Sequence, residues 1–371
     1  MPTKIANPPT TRDKQRLQLM RYDHTRLQQL IADIFRAGNS KDSESVCLAE
    51  HLVGANLVGH DSHGVIRAPI YIAWMNEGLV HANRELQYTL ESDTLLQADA
   101  GLGHGIPAAR KIVERGIEQC RKTGLCITAL KNAGHIGRVG HWSELAVAEG
   151  LVVLHFVTTN GAGMLVPPFG GRERRLSANP LSAGIPRGDQ PPIVLDISTC
   201  MIAEGKLKVA LNKGVDVPTG CIIDADGNPT TDPAKFYADP PGAILPFGGH
   251  KGYGLSLVTE ILAGALTGTQ CSQPGKTALC QGMLSIFIDP ARSQPADEFF
   301  GEVNRYVDFV KSAKTIDPTG EILVPGDIER STRNDRTTNG IPLDDKTWSQ
   351  IVDCARSLGI AKEVIDAVGV S

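Results

Sequence analysis

Hydrophobic positions in the first sixty residues recur at helical spacing. Leu27, Leu30, Ile31 and Ile34 form one stripe, and Val46, Leu48, Ala49, Leu52, Val53 and Leu57 form another. Residues three and four apart share a helix face, so two amphipathic helices are predicted between His24 and Gly59. Helices are also predicted over Pro69 to Met75 and Arg110 to Thr123, with a glycine-rich turn at Gly101 to Gly105 between them. Residues 1–22 are polar, contain proline and read as a loose arm.

After Gly124 the texture changes. Leu125 to Leu130 and Leu151 to Thr158 are short apolar runs with β-branched residues, and they bracket a helical pattern from Val139 to Glu149. That order is strand, helix, strand. Ile193 to Ile197 is a further strand candidate, and proline and glycine punctuate Pro167 to Pro246, which predicts strand and loop rather than long helix. A helix over Tyr253 to Leu266, a buried strand over Leu284 to Ile288 and a helix over Phe299 to Ala313 follow. The tail reads as a loop ending at Pro342, then helices around Trp348 to Leu358 and Glu363 to Val368. The fold class is therefore α/β, with helices at both ends and a mixed middle.

Composition narrows the function. A chain of 371 residues, 41% hydrophobic, has more length than one core usually uses. A net charge of -4 offers no basic excess for nucleic acid, and no run reaches the roughly 18–20 apolar residues of a membrane span. The 8 cysteines contain no CxxC pair, which argues against a zinc ribbon or redox dithiol and fits a reducing cytoplasm. No HxH or HExxH spacing is present, so no metal site is expected.

Four segments carry candidate chemistry. Gly161-Ala162-Gly163 follows a strand, but Val166 stands where a dinucleotide fingerprint needs glycine and Pro167-Pro168 block the helix that would hold the pyrophosphate. Phe247-Gly248-Gly249-His250-Lys251 is the better anion cradle, although such glycines also serve in plain flexible loops. In the segment from Gly59 to Tyr71, Ser62 and His63 precede Arg67, and Arg67 and Tyr71 stand at i, i+4 on one helix face. Arginine suits a carboxylate because its planar fork donates two parallel hydrogen bonds, and histidine suits a carbonyl that must receive a proton near neutral pH. The bland alternative is a helix end with surface histidines. His135, flanked by Gly134 and Gly137 between a strand and a helix, is a further candidate, as is Asp196 at the end of an apolar strand, where it either caps the next segment or orients a histidine.

Together these segments resemble one family, the malate/L-lactate dehydrogenases of the second type, also called sulfolactate dehydrogenase-like. The resemblance runs from His24 to the C-terminus through Asp61-Ser62-His63-Gly64, Gly134-His135-Ile136-Gly137, Pro168-Phe169-Gly170-Gly171, Asn179-Pro180, Leu195-Asp196, Gly249-His250-Lys251-Gly252-Tyr253-Gly254, Pro325-Gly326-Asp327 and Gly340-Ile341-Pro342-Leu343. It is nearest to the bacterial hydroxycarboxylate dehydrogenase branch. The resemblance implies a homodimer with a non-Rossmann NAD(P)-binding domain, a mixed sheet between helices, over 125–304. A largely helical substrate and dimerisation domain would be built from 23–124 and 305–371. It implies NAD- or NADP-dependent interconversion of a 2-oxo acid and a 2-hydroxy acid, with reduction of a cyclic imino acid as the alternative.

By the same resemblance Ser62, His63 and Asp196 form a relay, while another branch uses the histidine that maps to His135; His63 is favoured as proton donor. Arg67 would clamp the carboxylate, with Tyr71 and Asn179 lining the pocket. The cofactor would lie along Thr158, Thr159 and Asn160, Asp196, Ile197 and Ser198, Phe247 to Lys251, and Arg330. The chain departs from the family's common pattern at Ser177-Ala178 and at Ile197-Ser198, both beside the expected pocket.

Overall fold

The computed structural model describes residues 20–161, 163–276 and 278–369. Most of the arm expected over 1–22 lies outside the described residues, and its last three form strand β1 (Met20–Tyr22), paired antiparallel with β12 (Ile341–Leu343) near the other chain end. Helices α1 (His24–Ala37) and α2 (Asp42–Leu57) follow the predicted stripes, and the Asp23 side chain caps α1 by accepting from the Arg26 N–H at 2.9 Å. Next come α3 (Arg67–Asn76), the hairpin β2 (Gln87–Glu91) and β3 (Leu95–Asp99), and then α4 (Gly105–Thr123). The hairpin gave little signal because every residue of β2 is exposed and the alternation in β3 amounts to Leu96 and Ala98 alone.

The middle of the chain supplies β4 (Leu125–Ala133), α5 (Val139–Ala148), β5 (Val152–Asn160), β6 (Leu181–Arg187) and β7 (Gln190–Ile197). A smaller lobe follows: α6 (Glu204–Lys213), β8 (Ile222–Ile223), β9 (Pro229–Thr230), α7 (Pro233–Phe236) and β10 (Ala243–Ile244). It has its own core around Val166, Leu207, Ile222, Phe236 and Ile244. The region was expected to be strand and loop, yet α6 is helical; only Leu207 and Ala210 face inward, too few to make a legible stripe. After it come α8 (His250–Glu260), ending in a π-helical turn over Ile261–Ala265, then β11 (Cys280–Ile288), α9 (Ala296–Lys311), α10 (Asp327–Asn339), α11 (Asp345–Ser357) and α12 (Lys362–Asp366).

Seven strands form one mixed sheet in the order β2-β3-β4-β11-β5-β6-β7, in which only β3 and β4 run parallel. Helices α4 and α5 cover one face through Val153, Val157, Met283 and Phe287, which join the main core with α1 and α2. Helix α8 and its π-helical turn pack on β5 and β11 from the other face. Residues 327–339, expected as loop, are helical. Asp327 alone among them is buried, so α10 has no apolar stripe to betray it.

The strand directions bring the ends of β3, β4, β5 and β7 and the starts of β6 and β11 to one edge of the sheet. All the candidate segments meet there. No helix among the described residues is long and apolar enough to cross a membrane.

Candidate active site

The turn after α2 holds Asp61, Ser62 and His63 in a short 3-10 helix, and Arg67 opens α3 directly behind it. His63 Nδ1 lies 3.0 Å from Ser62 Oγ. The loop after β4 presents His135, whose ring stacks on His63 with centroids 5.4 Å apart and planes 24° apart. Arg67 Nε donates to the Ser62 carbonyl at 2.7 Å, and its two terminal nitrogens make no hydrogen bond or ion pair among the described residues. Ser62, His63, Arg67 and His135 are all half-buried.

Hydrogen bonding sets the state of His135. The Gly137 N–H donates to Nδ1 at 3.3 Å, so that nitrogen must carry a lone pair, and the Tyr71 hydroxyl at 2.5 Å therefore donates to it as well. The ring proton then sits on Nε2. Burial raises the Tyr71 hydroxyl above its ordinary value, which keeps it a donor. Tyr71, expected to line the pocket, is itself buried, and it orients His135 instead.

Burial first, and then the Arg67 charge, push the His63 imidazole down to about 3, with His60 and Arg138 adding to the effect. His135 is pushed well below its ordinary value by burial, Arg67 and His63. Both rings are neutral near pH 7 in the free protein. An anion placed on Arg67 would cancel one of the influences that hold their protons off.

Three side chains fix the loop that carries His135. Gln281 Oε1 accepts from the Ile136 N–H at 2.7 Å, and Gln281 Nε2 donates to Thr159 Oγ at 2.7 Å, tying the loop to the end of β5. His51 Nε2 accepts from the Arg138 N–H at 2.8 Å. Asp196 Oδ2 accepts from the Gly140 N–H at 2.8 Å, near the start of α5. A Cβ on Gly140 would come within 2.7 Å of that carboxylate oxygen, so the approach requires glycine.

The expected Ser62–His63–Asp196 relay is thus present only in its first link. Asp196 caps α5, lies 3.9 Å from Arg138 Nη1 and makes no hydrogen bond to His63. Burial raises its carboxyl group against the pull of Arg138.

Asn179 also departs from expectation. It is fully buried, and its amide nitrogen donates to Ser256 O at 3.1 Å and Glu260 Oε2 at 2.7 Å. Thr158 donates to Glu260 Oε2 at 2.8 Å, and Asn160 Nδ2 donates to Gln270 O at 3.1 Å. These side chains hold the sheet edge together and offer nothing outward. Ile197 and Ser198 remain partly open, and Gly248, His250 and Lys251 are exposed where the Phe247 N–H joins Thr199 O at 3.0 Å.

Asp196 and Arg330 line a cavity of about 260 Å³ between β7, α5 and α10. Arg138, Glu144 and Glu329 complete its polar wall. Arg138 is 2% exposed and ion-paired to Glu144 at 2.5 Å, yet none of its side-chain nitrogens is in a well-formed hydrogen bond. Sequence reasoning missed Gln281, His51 and Glu260, each a polar residue inside an apolar run, which is the one signal they carried. Among the described residues no three His, Cys, Asp or Glu side chains gather as a metal site.

Paired neutral imidazoles beside an uncommitted arginine, at the edge of a mixed sheet, are equipment for holding a small anion and moving a proton at its carbonyl. The chain belongs to the malate/L-lactate dehydrogenase family, whose model matches residues 22–352. It is 38% identical to hydroxycarboxylate dehydrogenase B of Escherichia coli K12, over 94% of this chain and 97% of that one. Among solved structures it is similar to sulfolactate dehydrogenase from Methanocaldococcus jannaschii, with a TM-score of 0.84, 32% identity, and coverage of 93% of this chain and 99% of the other. Malate dehydrogenase from Pyrococcus horikoshii gives 0.83 at 26% identity, covering 92% and 97%.

Proposed function

We propose that the chain interconverts a small 2-oxo acid and its 2-hydroxy acid with NAD(H) or NADP(H). The observation that carries this reading is Arg67, whose two terminal nitrogens have no partner among the described residues and which stands beside two stacked, neutral imidazoles. The fork suits one carboxylate held by two parallel hydrogen bonds, which fixes the adjacent carbonyl over the imidazoles. As the carboxylate binds, the Arg67 charge, which comes after burial among the influences holding His63 down, is offset, and the ring's proton affinity rises so that it can take up a proton from solvent. His63 then gives its proton to the carbonyl oxygen in reduction and takes it back in oxidation. His135, with its proton kept on Nε2 by Tyr71 and Gly137, is a neutral donor for the same oxygen.

The nicotinamide cofactor, when bound, supplies or accepts the hydride at C2. The cavity beside Asp196 would hold part of such a dinucleotide: the Asp196 and Glu329 carboxylates would serve as acceptors for its hydroxyl groups, and Arg138 and Arg330 would supply positive charge for its phosphates. The exposed Gly248-to-Lys251 turn at the start of α8 offers a second anion cradle. We read this as a non-Rossmann site, since five of the six pairings in the sheet are antiparallel. The site falls where the cofactor unit over 125–304 meets the segments 23–124 and 305–371, which are largely helical apart from β2 and β3 of the shared sheet and β12, the partner of β1. Val258, Ile261 and Leu266 are at least half exposed along α8 and its π-helical turn, which supports assembly as a homodimer. Eight free cysteines, mostly buried, support a reducing cytoplasmic setting.

The deciding assay follows NADH and NADPH absorbance against aliphatic, aromatic and sulfonated 2-oxo acids, with cyclic imino acids alongside. Turnover of the oxo acids is expected. Turnover confined to the imino acids would replace this reading, and a flat trace with every substrate would refute it.

A further inference from the structure

Helix α10 is held to the protein by polar contacts. Ile328 is 62% exposed, and Asp327 alone is buried. Residues 329, 332 and 336 fall at i, i+3 and i+7 and so lie along one face. Each meets the turn before the candidate acid. Glu329 Oε1 lies 3.2 Å from His60 Nε2. The Thr332 methyl sits where a Cβ on Gly59 would come within 3.2 Å. Arg336 Nη1 donates to Asp61 Oδ1 and to Asn56 O, both at 2.5 Å, and Nη2 donates to Asp61 Oδ2 at 3.1 Å.

The three contacts land on consecutive residues 59, 60 and 61, directly ahead of Ser62 and His63. Asn56 closes the turn from inside: Nδ2 donates to Asp61 Oδ1 at 2.6 Å, and Oδ1 accepts from the Val65 N–H at 2.8 Å. A Cβ on Gly64 would overlap that same Oδ1 at 2.1 Å. The Arg336 side chain is 13% exposed and that of Asp61 is 49% exposed, so the pair is sheltered on the arginine side only, and what it contributes is the fixed bidentate geometry more than shielded charge. Glu329 also lines the cavity described above, together with Arg330 and Arg333 of the same helix.

We propose that α10 is the positioning device of the catalytic turn: Arg336 sets the orientation of His63, and Glu329 couples that orientation to what occupies the cavity. The inference rests on His63 being the proton donor. Arg336 and Glu329 are positioning residues, acting through the turn without touching the reacting atoms. Rigid geometry matters here because a misplacement of about 1 Å can cost about 100-fold in rate.

The test uses the full-length enzyme with its best 2-oxo acid. Arg336→Met is expected to lower kcat about 10- to 100-fold, with nucleotide affinity by NAD(P)H fluorescence changed less than about threefold. Arg336→Lys should recover part of the rate, since an ammonium can replace one of the lost hydrogen bonds. In a His63→Ala background Arg336→Met should produce no further loss, because a device that acts through His63 has nothing left to orient. Glu329→Gln should shift the acid limb of the pH–rate profile while leaving a folded protein.

A parent-like kcat in Arg336→Met would overturn the proposal, as would a full additional loss in the His63→Ala background. If Arg336→Met does not fold, Arg336→Lys and Asp61→Asn carry the same comparison. Full turnover in His63→Ala alone would remove the reading of His63 itself. Loss in His63→Ala with parent-like Arg336 variants removes only the positioning role.

Discussion

Two polar clusters sit at the same edge of the sheet and differ in how completely their hydrogen-bonding groups are used. Around Glu260, the carboxylate takes buried Thr158 and Asn179 on one oxygen and the part-buried Ser272 N–H on the other at 2.6 Å. Around Arg67, the guanidinium fork and the outer nitrogens of His63 and His135 have no partner among the described residues and remain open to solvent. A buried polar group left unmatched costs free energy, so a closed network stabilises a fold and has nothing to offer a ligand. Groups kept open at the edge of a core are where substrate chemistry is done.

The comparison would break most visibly at His63. His63→Ala is expected to lower kcat by about 10²–10⁴-fold while nucleotide binding persists; steady-state rates and fluorescence titration check both. The closed cluster should answer in stability. Glu260→Ala removes the shared acceptor of Thr158, Asn179 and the Ser272 N–H and is expected to cost about 2–4 kcal/mol in urea or thermal unfolding. A rate effect in that variant exceeding its loss of folded protein would move Glu260 into the open class. Arg67→Lys keeps the charge and loses the fork, so KM for the 2-oxo acid should rise about tenfold, near 1.4 kcal/mol, with kcat less affected.

The smallest effect is on pH. Burial pushes His104 and His141 down to about 4 and His155 to about 3, below the ordinary value of an unfolded histidine. The unfolded chain therefore binds more protons in acid. This stability is complete above pH of about 6.5 and is lost as pH falls through about 4 to 3. A Tm flat from neutral pH upward and falling below about 6.5 is expected, and His104→Phe, which removes a ring nitrogen with no partner, should lessen the slope. A slope unchanged in that variant would take His104 out of the account.

The sequence made the helices with an apolar stripe legible, α1 and α2 among them, as well as the buried strands β4, β5 and β11. It left α10, α6 and the β2–β3 hairpin unseen because each buries too few apolar residues to make a pattern: none in α10 or β2, and two apiece in α6 and β3. It likewise placed Ser62, His63 and Arg67 in one short segment, where chain connectivity alone keeps them close. The error lay in assigning outward roles to Tyr71, Asn179 and Thr158. Each is polar and near the site, but each is turned to an internal partner.

Periodicity and motif spacing thus determined the element types and the membership of the catalytic segment, because both arise from interactions within about four residues. Tertiary structure decided which polar groups were consumed and which stayed free. Asn179 meets Ser256 and Glu260 across 77 and 81 residues, and Arg336 reaches Asp61 across 275. Contacts over such separations leave no periodic trace along the chain, since they exist only once the sheet edge and the two chain ends have been brought together.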